Sequence, residues 1–133
     1  MDVVVDTNVL MAGLLKDSTT RKLLVNKNFN FYIPEFAINE IEKYKEYLIN
    51  KSELTKEEFE ELFELIIDNI NIIPFEEIKP YIDKAKEIMK DIDIKDSTFI
   101  ACALYLKCGI FSYDEHLKKQ NIVKIYDIQE LLL

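Results

Sequence analysis

Five short runs rich in β-branched and aromatic residues, each followed by a stretch of helical spacing, constrain this chain more than any other feature. The runs are Val3-Val4-Val5, Phe31-Tyr32-Ile33, Asn71-Ile72-Ile73, Ile110-Phe111-Ser112 and the segment from Ile122 to Ile125. Such side chains suit a pleated surface covered on both sides. Strands alternating with helices predict a parallel sheet, because each parallel connection needs a crossover. The expectation is an α/β fold: a three-layer α/β/α sandwich around a central, mostly parallel five-stranded sheet. A chain of 133 residues makes one domain, residues 1–133, large enough for a proper core. With only 2 Gly and 3 Pro, the connections should be short.

The helical segments carry their own start and stop signals. Residues 7–16 and 18–25 read as two short helices after the first strand. Pro34 opens a helix over 35–50 with Ala37, Ile41, Tyr44 and Leu48 on one face. Residues 51–54 connect it to a helix opened by a capping box of Thr55 and Glu58, and the two should form an αα-hairpin. Phe59, Leu62, Phe63, Ile66 and Ile70 form the apolar face of that second helix. Pro74 closes the third strand. A helix from Lys79 tolerates Pro80 because it falls in the first turn. Residues 91–95 read as an acidic loop. Asp96 then opens a helix that is apolar all round from Phe99 to Leu106, hence buried, with Gly109 as the glycine that ends it. Asp127 and Glu130 form a last capping box.

Composition excludes several classes of function. Lys+Arg is 17 and Asp+Glu is 25, a net charge of −8, the wrong sign for a broad basic nucleic-acid face. Any nucleic-acid chemistry must use a local site where metal ions reverse the charge. Cys102 and Cys108 are the only cysteines and there is one histidine, too few ligands for a zinc site. They read as buried free thiols of a protein in a reducing cytoplasm. No basic, apolar leader is visible, and no apolar run reaches the ~18 residues of a membrane span. Richness in Ile, Lys and Glu is compatible with a thermophilic source.

Four carboxylates sit where simple patterning would not put them. Asp6 ends the first strand, Asp114 follows the fourth, Asp96 begins the buried helix, and Glu40 lies beside the apolar face of its helix among Phe36, Ala37 and Tyr44. In open α/β sheets, ligands bind outside the carboxyl ends of the strands. Taken singly, Asp6 and Asp96 serve equally well as helix caps, Glu40 as a surface glutamate and Asp114 as a turn residue. Gathered at one sheet edge, they would repel one another unless a cation neutralised them. Hard divalent ions such as Mg²⁺ or Mn²⁺ take such oxygen ligands, and phosphodiester cleavage uses them.

These stretches carry a family resemblance that spans nearly the whole chain. Val3-Val4-Val5-Asp6-Thr7-Asn8-Val9-Leu10 resembles the opening of the PIN-domain family of metal-dependent ribonucleases. Asp96-Ser97-Thr98-Phe99-Ile100-Ala101-Cys102-Ala103 resembles its third motif, and Ile110-Phe111-Ser112-Tyr113-Asp114 its fourth. Glu40 falls where the family's second acid lies. The resemblance implies Mg²⁺ or Mn²⁺ held by Asp6, Asp96 and Asp114, with Glu40 nearby as a further ligand or supporting acid. It implies Asn8 close to the acids, and Ser112 orienting Asp114 or a bound water. The family cleaves single-stranded or structured RNA, often as the toxin of a toxin–antitoxin pair of the VapC type, and homodimers are common in it.

Other residues take plainer readings. Asp93, crowded with Asp91 and Asp96, is a solvated loop acid in preference to an extra ligand. An EF-hand is excluded because Asp96 stands where that loop needs Gly. His116 reads as an exposed residue at a helix start. Tyr44, Tyr47, Tyr81 and Tyr105 read as core or rim residues and not as a stacking platform, with Tyr113 the best exception. Lys43, Lys45 and Lys95 are candidate phosphate contacts. The Glu-rich face of 57–68 is most simply a solvated surface, with part of a subunit contact as the alternative. Two other functions compete with an endoribonuclease: a non-catalytic PIN-like module that binds or scaffolds RNA, and a phosphoryl-transfer domain of receiver or haloacid-dehalogenase kind. In the latter the second acid would fall at Asn8, which has no carboxylate.

Overall fold

The computed structural model describes residues 1–15, 18–90 and 95–133. Five strands form one sheet: β1 (Asp2–Val5), β2 (Asn30–Pro34), β3 (Ile70–Ile73), β4 (Gly109–Phe111) and β5 (Ile125–Tyr126). Their spatial order is β3-β2-β1-β4-β5 and every pairing is parallel. The mostly parallel sheet expected from the alternation is therefore parallel throughout. The order differs from the 2-1-3-4-5 order of receiver-like folds.

The sheet is central because its valines are. Val3, Val4 and Val5 are wholly buried, so β1 is covered on both faces. Over it and its neighbours β2 and β4 lies α8 (Asp96–Leu106), whose Phe99 to Ala103 are buried. The helices α6 (Phe75–Ile78) and α7 (Ile82–Ile88) pack against α8. A second group gathers about α1 (Thr7–Leu14): α2 (Ser18–Leu24), α3 (Glu35–Lys43), α4 (Lys45–Ser52) and α5 (Lys56–Ile67). The Arg21 guanidinium donates to the carbonyls of Gly13 and Leu15, each at 2.9 Å, and so satisfies the end of α1. The chain closes on α9 (Ile128–Leu131).

Both capping boxes form. Thr55 and Glu58 exchange side-chain-to-amide bonds of 3.1 and 2.9 Å at the start of α5, and Asp127 and Glu130 do the same at α9. Other boundaries differ from expectation. The helix over 35–50 is two helices, since Tyr44 leaves helical geometry at φ −101° and ψ 15°. The amide of Tyr44 still bonds to Glu40 and its carbonyl to Leu48, so one helical run continues through a bend. Pro34 ends β2 and stands one position before α3 instead of inside it. The helix begun near Lys79 is preceded by α6, and Pro80 sits in a 3-10 turn, Lys79–Tyr81, before α7. The last strand is shorter and later than its apolar run.

Gly109 has a different role from the one expected. The helix α8 ends on Lys107, which takes the left-handed conformation at φ 56°. Gly109 lies in β4, where a Cβ would meet the Tyr126 ring at 2.5 Å and the Lys124 carbonyl at 2.7 Å. The glycine is needed because β5 crosses so closely.

Candidate active site

The strand order places a crevice between β1 and β4. From β1 the chain proceeds outward through β2 to β3, then returns to lay β4 and β5 on the other side. Such a reversal is where open parallel sheets bind ligands, at the carboxyl ends of the two central strands. Val5 of β1 pairs with Phe111 of β4, so the next residues, Asp6 and Ser112, leave the sheet side by side.

Asp6 caps α1 with its backbone only. Its amide continues the sheet by donating to Phe111 at 3.1 Å, and its carbonyl accepts from Val9 and Leu10. Its carboxylate makes no capping hydrogen bond to the helix. Instead Oδ2 accepts a 2.7 Å bond from the hydroxyl of Ser112, which is fully buried. Ser112 Oγ in turn accepts from the Asp114 amide at 2.9 Å. Asp114 Oδ1 accepts from the His116 amide at 2.9 Å and lies 3.6 Å from the imidazole Nδ1. A chain of contacts thus runs from Asp6 through Ser112 and Asp114 to His116.

Asp6 is only 4% exposed. Burial, above all, pushes its carboxyl above the usual value, and the negative charge of Asp114 pushes the same way. The Ser112 hydroxyl and the nearby amides of Asn8 and Thr7 pull it back in part. A buried acid with a second acid beside it is the setting in which a bound cation lowers the free energy most.

Asp6, Glu40, Asp96 and Asp114 all line one cleft of about 270 Å³. They come from four separate elements: the ends of β1 and β4, the middle of α3 and the first residue of α8. Asn8 lines the same cleft, as do the basic residues Lys95 and His116. Its apolar walls are Phe36 and Phe99, an edge-to-face pair with centroids 5.4 Å apart that sequence reasoning did not single out. Their signal was present only as apolar residues one turn from Glu40 and Asp96. Asp93 lies outside the described residues.

The donor set is chemically right for a hard divalent ion, being all carboxylate and amide oxygen. Among the described residues, no three acidic, His or Cys side chains already stand at the spacing of a closed metal cage.

Other candidates sort themselves. Cys102 is buried and Cys108 half-buried, unbridged, with thiols pushed by burial to about 12 and about 11. Such thiols are inert packing residues. Tyr81 and Tyr105 pack on each other, as expected of rim residues. Tyr44 and Tyr47 do not follow that reading: they are 47% and 59% exposed. Lys45 is engaged by Glu60 at 2.8 Å, away from the cleft. Among the described residues no helix is long and apolar enough to cross a membrane.

Fold and cleft together define an α/β domain with an acid-lined crevice at its switch point. The PIN-domain family model matches residues 4–126, and the chain belongs to that family. Two solved structures are similar in fold. One is VapBC2 from Rickettsia felis bound to a DNA fragment from their promoter, with a TM-score of 0.70, 17% identity, and 96% of this chain and 98% of that one covered. The other is a toxin–antitoxin complex from Klebsiella pneumoniae, with a TM-score of 0.62, 16% identity, and 84% and 86% covered. A comparison with curated proteins finds no significant match. Family membership sets aside the receiver and dehalogenase reading, and the strand order separately excludes a receiver.

Proposed function

We propose that this protein is a divalent-metal-dependent endoribonuclease that hydrolyses RNA phosphodiester bonds. The observation that carries the reading is the meeting of Asp6, Glu40, Asp96 and Asp114 along one cleft. In this reading Asp6, Asp96 and Asp114, with Glu40, hold Mg²⁺ or Mn²⁺. The ion would neutralise the acids and activate a water for attack on phosphorus. Ser112 fixes the Asp6 carboxylate and the Asp114 backbone, so that both acids keep their places. Asn8 offers a neutral polar group beside them. Lys95 and His116, at the rim, offer basic groups to the entering phosphate backbone. None of the carboxylates acts as a nucleophile.

The structural neighbours support one biological setting over others. Both are toxin–antitoxin complexes, and one is bound to promoter DNA. We therefore read the chain as the toxin of such a pair, cytoplasmic, dimeric and held by a small antitoxin. An antitoxin encoded beside it, co-purifying with it and blocking its cleavage, is the expected finding.

The test is a cleavage assay on a panel of RNAs with and without Mg²⁺ or Mn²⁺, run beside Asp6→Asn. Metal-dependent cleavage lost in the variant supports the assignment. Equal cleavage by variant and wild type sinks it. RNA binding without cleavage or saturable Mn²⁺ uptake would instead make the protein a non-catalytic RNA-binding module.

A further inference from the structure

The face of α3 and α4 that leads out of the cleft carries features the acidic site does not use. Tyr44 and Tyr47 expose 47% and 59% of their surface, large values for rings of this size. A Lys ammonium stands over each ring: Lys43 at 5.7 Å from the Tyr44 centroid and Lys51 at 5.8 Å from that of Tyr47. Among the described residues neither ammonium joins an ion pair. Glu40, Tyr44, Tyr47 and Lys51 recur at spacings of four, three and four, so about 100° per residue brings them onto one side of the bent helical run. Glu40 lines the cleft, and the Tyr44 amide bonds back to it at 3.1 Å. The row therefore starts at the acids and runs away from them.

Most acids of this run lie off the row. Glu42 and Glu46 line a groove with Lys45, Ile49, Lys56 and Glu60, and Lys43 stands at its edge, between the groove and the row. There Lys45 lies 3.7 Å from Glu42 and 2.8 Å from Glu60, so those charges answer one another. Glu40 is the sole acid of the row, and it belongs to the cleft. A chain with a net charge of −8 thus presents two exposed rings in line with its acidic site, each with a cation over it: Lys51 in the row and Lys43 at its edge.

We infer that this face is a track for single-stranded RNA, in which bases stack on Tyr44 and Tyr47 while Lys43 and Lys51 face the phosphates. The inference rests on the nuclease reading for its choice of polymer. Exposed aromatic rings interleaved with cations bind single strands without reading sequence, because every base has a π-face. A duplex hides those faces, so the track should favour unpaired strands.

Binding can be separated from cleavage. A fluorescein-labelled single-stranded oligouridylate RNA is titrated with Asp6→Asn protein and followed by anisotropy. Tyr44→Leu and Tyr47→Leu are then introduced singly and together into the same background. Each ring lost should weaken binding by about tenfold, within the range of base–aromatic stacking, and Tyr→Phe should restore it. A duplex of equal length should bind more weakly and be indifferent to the substitutions. Both side chains are exposed, so circular dichroism should report an unchanged fold. Undiminished binding by the double Leu variant overturns the inference and leaves the nuclease assignment standing. So does a double variant that changes only self-association or capture of a protein partner. Tyr-dependent binding by a wild type that cleaves nothing keeps the track and removes the nuclease. No single-strand binding at all overturns the inference.

Discussion

The hydroxyl of Ser112 and the carboxylate of Asp6 are 106 positions apart in the chain and 2.7 Å apart in space. That bond decides what Asp6 does. The amides of Asn8 and Thr7 at the start of α1 also favour its ionised form, yet no capping hydrogen bond forms. The carboxylate is held toward β4 and the cleft by a donor that is itself buried.

The stability of the protein should depend on Asp6 with a definite sign. Its native carboxyl has a pKa above the ordinary 3.8, chiefly through burial. The native state therefore holds the proton more tightly than the unfolded chain. This contribution to stability is complete below the unfolded pKa and is lost as the pH rises through the raised native value. At neutral pH the ionised side chain is a net cost. Asp6→Asn should then melt at or above the wild-type temperature at neutral pH while its RNA cleavage disappears. The advantage should shrink as the pH falls below the native pKa. Thermal melts across acid and neutral pH measure it; a variant markedly less stable at neutral pH would contradict the account.

Ser112→Ala should be costly for the opposite reason. It strips a buried carboxylate of its donor and the Asp114 amide of its acceptor. A loss of roughly 1–3 kcal/mol is expected, as for other buried groups left unpaired. Urea denaturation of Ser112→Ala in the wild-type and Asp6→Asn backgrounds gives the coupling. The loss should be smaller in the Asp6→Asn background, where a neutral amide replaces the carboxylate and less charge is left unsolvated.

Divalent ions should stabilise the fold through the cleft. At about a hundredfold excess over its Kd, a bound ion adds ~2.7 kcal/mol, or a few degrees in Tm for a domain of this size. Mn²⁺ titrated by calorimetry and by thermal shift should agree. Asp114→Asn should reduce both signals, whereas Glu57→Gln on the exposed face of α5 should leave both unchanged.

Gly109→Ala tests how closely β4 and β5 approach. The new methyl would meet the Lys124 carbonyl at 2.7 Å as well as the Tyr126 ring, and a backbone carbonyl cannot swing aside. Overpacking of this kind costs about 1–3 kcal/mol. A drop in the urea midpoint without a change in slope is the expected result, with an unchanged midpoint as the contrary one.

Much of the fold was legible because its signals are local. Thr55 with Glu58 and Asp127 with Glu130 announce helix starts by hydrogen bonds that close within one turn. The valines of β1 announce burial by their shape. Errors arose where one residue type serves two geometries. Gly109 looked like a helix end, yet Lys107 took the left-handed turn and the glycine made room for β5. Tyr44 fitted an apolar stripe, yet the helix bends there and the ring stands in solvent.

By itself the sequence determined the elements, their alternation and the four acids, since short-range sterics and hydrogen bonding decide such matters. It could not determine that Asp6 bonds to Ser112 instead of capping α1, nor that Glu40 shares a cleft with Asp96 and Asp114. Those depend on β4 lying beside β1 with β2 on its other side. Strand order is chosen by burial of the whole core, a property of the packed chain that no local window contains.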